Sequence, residues 1–196
     1  MTTIKNLTTI ILAGGKSSRM GYDKGLALIN NRPMISYLLE QSKKFANTTL
    51  IITNQEGYGS FDCLCFTDEW KEKGPLGGIH AGLLHSSTTK NLVLSCDTPF
   101  ISSGIINELI RNCGNEDVLV AEHGGFMEPL CAIYDQRCLP FIEKALTENR
   151  LKITDVLNEM NMVRINFDIF ETTTKKTFAN INTPEELKEY QSTHEN

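Results

Sequence analysis

At 196 residues the chain suits one domain of ordinary size, residues 1–196, and its 40% hydrophobic content is enough to build a single sizeable core. Charged side chains make up 22%, with 14 Gly and 6 Pro, which argues against a disordered or collagen-like chain. The 19 Lys and Arg stand against 24 Asp and Glu, and the net charge of −5 makes nucleic acid a poor partner. A small anionic ligand stays compatible, because a local basic loop can outweigh a mildly acidic whole.

No run approaches the roughly eighteen apolar residues of a membrane span. The segment Met1 to Leu7 lacks the basic start and long apolar run of a signal peptide. Six cysteines, at 63, 65, 96, 113, 131 and 138, include no C-x-x-C pair, and Cys63 and Cys65 would share one face of a strand. Most sit in apolar surroundings such as Leu94-Ser-Cys96 and Leu130-Cys131-Ala. The expectation is buried free thiols in a cytoplasmic protein, ahead of disulfides or zinc.

Along the chain, apolar runs of strand length alternate with stretches of helical period. Thr8 to Ala13 reads as a buried strand ended by Gly14-Gly15, and Pro33 to Ala46 as a helix. Thr49 to Thr53 and Cys63 to Phe66 are the next strands. Gly74-Pro-Leu-Gly-Gly78 reads as a loop that leads into an apolar helix through Ile79, Leu83 and Leu84. Asn91 to Ser95 is a strand, and Ser102 or Ser103 would cap the helix carrying Ile105, Ile106, Leu109 and Ile110. Asp117 to Ala121 and Leu130 to Tyr134 are strands, and Leu139 to Leu146 is a helix. Ile153 to Thr177 is polar and irregular. Thr183 as N-cap and Pro184 at the first helical position open the last helix. The pattern implies an α/β fold of three layers with a mostly parallel central sheet. Ligands of such sheets sit beyond the carboxyl ends of the strands.

That rule selects the residues that could carry chemistry. Two adjacent glycines after the first strand, Gly14 and Gly15, let backbone N–H groups approach a ligand closely. Lys16, Arg19 and Lys24 add three cations within nine residues, a combination suited to a triphosphate. A surface loop would also be rich in Gly and Lys. A P-loop is excluded, because Ile10 stands where its first glycine belongs; the dinucleotide fingerprint fails at Lys16. Asp97 follows the apolar run Leu92-Val-Leu-Ser-Cys and needs a metal, a cation or a capping role. Magnesium suits it, taking one or two carboxylates and completing its shell with phosphates. Asp68 in Phe66-Thr-Asp-Glu69 could equally be a solvated turn. The histidines have no ligand spacing, and no serine sits in a G-x-S-x-G elbow.

Leu12-Ala-Gly-Gly-x-Ser-x-Arg-Met-Gly-x-Asp-Lys24 resembles the signature loop of the nucleotidyltransferases related to molybdenum cofactor guanylyltransferase. Gly74-Pro-Leu-Gly-Gly-Ile79 with Gly82, Ser95-Cys-Asp-Thr-Pro99, Glu128-Pro-Leu130 and Asn180-Ile-Asn-Thr-Pro184 follow in the order that family implies. The matches span about residues 8 to 190. The resemblance implies a Rossmann-like nucleotidyltransferase fold that moves GMP from GTP to the terminal phosphate of molybdopterin or Mo-molybdopterin, releasing pyrophosphate. It implies GTP held through Leu12, Ala13, Gly14 and Gly15, with phosphates on Lys24 and charge offset by Arg19. Asp68 and Asn54 would lie on the guanosine side, Thr53 being the alternative to Asn54. Asp97 would hold Mg2+, and Asn180 and Asn182 would lie at the pterin end, unless they only cap the helix. The expected molecule is a cytoplasmic monomer, met by proteins that deliver or accept the cofactor, with no nucleic acid and no membrane. The rival readings are a cytidylyl- or sugar-phosphate nucleotidyltransferase and a non-catalytic nucleotide carrier of the same fold.

Overall fold

The computed structural model of the protein describes residues 6–14, 23–170 and 177–192. β1 (Leu7–Leu12) is buried along its whole length, as a strand packed on both faces must be. Two-residue strands β2 (Leu28–Ile29) and β3 (Arg32–Pro33) form a hairpin around Asn30 and Asn31, whose φ angles of 50° and 60° suit asparagine. There follow α1 (Met34–Phe45), β4 (Thr48–Ile52), β5 (Leu64–Phe66), α2 (Pro75–His85), β6 (Lys90–Ser95) and α3 (Ser103–Asn112). The chain continues through β7 (Val118–His123), β8 (Phe126–Asp135), α4 (Leu139–Thr147), α5 (Ile153–Leu157), β9 (Met162–Asn166) and α6 (Pro184–Ser192).

Seven strands form one sheet in the order β5-β4-β1-β6-β8-β7-β9. β1 pairs in parallel with β4 and β6, β4 with β5, and β7 with β9; only β8 runs against its two neighbours. The sheet is therefore mostly parallel, as expected. Alternation along β1 sends Leu7, Ile11 and Ala13 to one face, where they pack with α1 and α3 residues such as Leu38 and Ile105. Ile10 and Leu12 point to the other face, against Ile79 of α2 and Ile142 of α4. Helices cover both faces, which makes three layers. A smaller core of Ala27, Ile29, Met34, Ile181 and Leu187 ties the β2–β3 hairpin to α6.

Several boundaries differ from the sequence expectation. Gly74-Pro-Leu-Gly-Gly78 is not a loop beyond Gly74: Pro75 takes the first position of α2, and Gly77 and Gly78 lie inside it. Those glycines serve close packing. A Cβ at Gly78 would come within 3.1 Å of Leu12, and one at Gly82 within 2.4 Å of Ile10. β8 begins at Phe126 rather than near Leu130, because Gly124 and Gly125, at φ 58° and 78°, close a tight β7–β8 hairpin. The polar stretch after Ile153 holds α5 and β9. β9 is an edge strand with Val163 and Arg164 exposed, so it needs no apolar period. Ser102 does cap α3, its hydroxyl accepting the Ile105 N–H at 3.4 Å. All six cysteines are free; four are buried, Cys63 is half-buried, and Cys65 is exposed on the edge strand β5.

The close approach of α2 to β1 makes Gly82 sensitive to a single methyl group. Gly82→Ala should cost about 1–3 kcal/mol of stability, the scale of overpacking a filled core. Urea unfolding checks this, and an unchanged midpoint contradicts the close approach.

Candidate active site

The carboxyl ends of β1, β4 and β6 open onto a cleft of about 630 Å³. Its walls include Leu12, Gly14, Thr53, Asn54, Asp68, Gly74, Pro75, Gly78, Ser95 and Asp97. Sequence reasoning named most of these; it missed Gln55, beside Asn54, and Lys71 and Glu72, on the exposed segment between β5 and α2, for which the sequence offers no periodic signal. Gly15, Lys16 and Arg19 lie outside the described residues.

Gly14 leaves β1 at the cleft mouth, with open space where a side chain would stand except for the Thr53 backbone at 4.0 Å. Ala13 is fully buried, its N–H donating to the Ile52 carbonyl at 2.9 Å. Thr53 and Asn54 both border the cleft, but their side chains are used differently. The Thr53 hydroxyl accepts the Gln55 N–H at 3.1 Å within its own turn. The Asn54 carbonyl oxygen instead accepts the Asp68 N–H at 3.1 Å, joining the loops after β4 and β5.

Asp68 is half-buried. One carboxylate oxygen accepts the Trp70 N–H at 2.8 Å, and the other lies 2.6 Å from where a Gly77 Cβ would be. Only glycine lets the carboxylate sit this close to the first turn of α2. Burial raises the Asp68 pKa, with the Trp70 N–H and His80 opposing.

Asp97 lies just past β6, half-buried and lining the cleft. It does not cap α3, whose cap is Ser102. Glu128 is near enough for Asp97 to raise its pKa, although burial is the larger cause and His123 opposes both. On the other side, the Asp97 carbonyl accepts the Ile181 N–H at 2.8 Å. Ile181 is fully buried, Asn180 is exposed and Asn182 is half-buried. The Asn182 side-chain oxygen accepts a hydrogen bond from the Lys24 ammonium. The segment is held by a capping box: the Thr183 hydroxyl accepts the Glu186 N–H at 3.2 Å, while the Glu186 carboxylate accepts the Thr183 and Asn182 N–H groups at 3.0 and 2.6 Å. The structure therefore brings Lys24, Asp97 and Asn182 together. Asn54 and Asp68 form a separate wall of the cleft.

Cations beside a backbone-lined cleft, a helix N-terminus on one wall and a carboxylate at the end of a central strand suit binding of a phosphorylated nucleotide. Residues 9–163 match the family model described as a MobA-like NTP transferase domain. A molybdenum cofactor guanylyltransferase of Vibrio vulnificus is 36% identical over 186 residues, covering 92% of this chain and 93% of that protein. The chain belongs to the molybdenum cofactor guanylyltransferase family. A family member of Desulfosudis oleivorans is 35% identical over 187 residues, covering 93% of each chain. Among solved structures, the molybdopterin-guanine dinucleotide biosynthesis protein A of Archaeoglobus fulgidus superposes with a TM-score of 0.80 at 26% identity, covering 95% of this chain and 97% of that one. A Thermus thermophilus 2-C-methyl-D-erythritol 4-phosphate cytidylyltransferase shares the fold at TM-score 0.71 and 12% identity, covering 96% of this chain and 98% of its own. Glu128 lies near Asp97, and Leu130 lines the same cleft.

Asp68→Asn keeps the oxygen that accepts from Trp70 and removes the charge. Folding raises the Asp68 pKa, so the charged wild-type carboxylate carries a burial cost at neutral pH. The variant should be the more stable protein near neutral pH, and the gap should close as pH falls toward the ordinary aspartate value of about 3.9. Urea titrations at several pH values test this; a gap that widens on acidification contradicts it.

Proposed function

We propose that the protein is a single nucleotidyltransferase domain that transfers GMP from GTP to the terminal phosphate of molybdopterin or Mo-molybdopterin. The observation that carries the reading is the position of Asp97. Its side lines the nucleotide-sized cleft, while its carbonyl holds the segment that bears Asn180 and Asn182. Donor and acceptor would meet across this one residue.

In the reaction, an oxygen of the acceptor phosphate attacks the α-phosphorus of GTP. The bond from that phosphorus to the β-phosphate oxygen breaks, and pyrophosphate leaves. The acceptor oxygen is already anionic, so no side chain has to remove a proton from it. Alignment and charge neutralisation then carry the catalysis. The backbone of Leu12 to Gly15 and the first turn of α2 would cradle the triphosphate, with Lys24 and Arg19 offsetting its charge. Asp68 and Asn54 would border the guanosine.

The donor set also fits magnesium. Among the described residues no three His, Cys, Asp or Glu side chains cluster into a cage. Asp97, at the end of β6, matches an ion that takes one carboxylate and completes its shell with water and substrate phosphates. Magnesium at Asp97 would withdraw charge from the phosphate oxygens. No helix of the described residues is long and apolar enough to cross a membrane. The proposed setting is the cytoplasm, among proteins that deliver or accept the cofactor.

A panel of nucleoside triphosphates with molybdopterin as acceptor tests the reading, with pyrophosphate release as the signal. GTP should be consumed and CTP spared; the reverse selects the cytidylyl alternative. Asp97→Asn should lower turnover by about 10²-fold, the scale of losing one main electrostatic element. Near-normal turnover at limiting magnesium would remove Asp97 from the metal site.

The two asparagines should separate. Asn180→Ala should raise the acceptor KM and leave GTP affinity unchanged. Asn182→Ala also releases Lys24 and should alter both, so identical kinetic profiles for the two variants would count against this division.

A further inference from the structure

Tyr58 does not line the cleft, and its ring lies in the core at 2% exposure, beside Phe61 at a centroid distance of 6.1 Å. Its hydroxyl nevertheless reaches a polar group at the edge of the site. It donates to a carboxylate oxygen of Asp23 at 2.5 Å, and the Gly25 N–H donates to the same oxygen at 2.8 Å. Lys24 lies between those two residues. Its carbonyl accepts the Ala27 N–H and that of Gly25 accepts the Ile35 N–H, both at 3.0 Å. The backbone after Lys24 is thus pinned to the start of α1 through Gly25, while the Lys24 carbonyl closes a turn on Ala27.

Position 25 shows how tightly this knot is drawn. A Cβ there would fall 2.2 Å from the Tyr58 hydroxyl oxygen, so only glycine admits the phenol to its partner. Burial, with the Asp23 carboxylate adding to it, keeps the phenol protonated far above its ordinary range, so it remains a donor. A donor aimed at a carboxylate in such surroundings makes one of the stronger kinds of hydrogen bond.

We propose that Tyr58 is a positioning residue for Lys24, its buried hydroxyl fixing the Asp23–Gly25 turn that aims the ammonium at the triphosphate. This rests on the reading of Lys24 as the cation that meets the donor phosphates. Tyr58 acts through Asp23 and touches neither substrate.

Tyr58→Phe keeps the ring and removes the donor. It should lower kcat/KM for GTP about tenfold, the effect of one charge-assisted hydrogen bond. The KM for molybdopterin should stay near wild-type, and the variant should remain folded with a melting temperature only a few degrees lower. In a Lys24→Ala background the same change should have almost no further effect, because the residue it positions is gone. Equal losses in both backgrounds, or no loss with Lys24 present, overturn the proposal. If Tyr58→Phe folds poorly, Gly25→Ala supplies the second arm. Its methyl group should expel the hydroxyl and lower kcat/KM for GTP with Lys24 present, but hardly at all in a Lys24→Ala background; equal losses in both backgrounds overturn the proposal. Failure of the guanylyl reading looks different: the wild type would ignore GTP in the triphosphate panel. The coupling between positions 58 and 24 is then measured with whichever triphosphate it consumes, and additivity there still overturns it.

Discussion

Parallel pairing of β1 with both of its neighbours sets the geometry on which everything else hangs. Leu12 stands level with Ile52 of β4 and Ser95 of β6. The ladder continues past the strand ends, with the Ala13 N–H on the Ile52 carbonyl and the Cys96 N–H on the Leu12 carbonyl at 2.9 and 3.0 Å. Gly14, Asn54 and Asp97, each two residues further along, therefore leave the sheet at one level. A slip of one residue in either pairing would send each β1 side chain to the opposite core face, where the packing does not fit it, and would dissolve the cleft. Binding geometry and core packing depend on the same register.

Small residues then decide how closely the second layer can approach. Gly78 and Gly82 let α2 lie down on Leu12 and Ile10, and Gly77 admits the Asp68 carboxylate to the first turn of that helix. The stretch is apolar for packing and glycine-rich for contact. Its helical character is consequently hidden from any rule that treats glycine as a breaker.

Elements that bury a regular set of side chains were legible in the sequence, because burial writes its period into the residues. β1, β4, β6, α1 and α3 fall where apolar spacing placed them, and the Thr183-Pro184 helix start is where capping chemistry put it. The pieces that escaped are defined by something other than burial. β9 is an exposed edge, the β2–β3 hairpin is two residues a side, and β8 is lengthened by a glycine turn. At the candidate site, the loop glycines, Lys24 and Asp97 could be picked out from residue type and position. The contact between Lys24 and Asn182 could not, since it joins side chains 158 positions apart. Nor could Tyr58, an aromatic residue between two glycines where no apolar spacing marks it.

The hydrogen bond from Ile181 to Asp97 has a consequence for the order in which the protein is made. The whole seven-stranded sheet is available once β9 has been synthesised, at Asn166. The wall that carries Asn182 and meets Lys24 comes later, because Ile181 and Leu187 must first enter their small core. Chains grow at about 5–20 residues per second and fold as they emerge. A chain folded as far as Asn166 therefore holds a finished sheet and an unfinished site until Ile181 and Leu187 are in place.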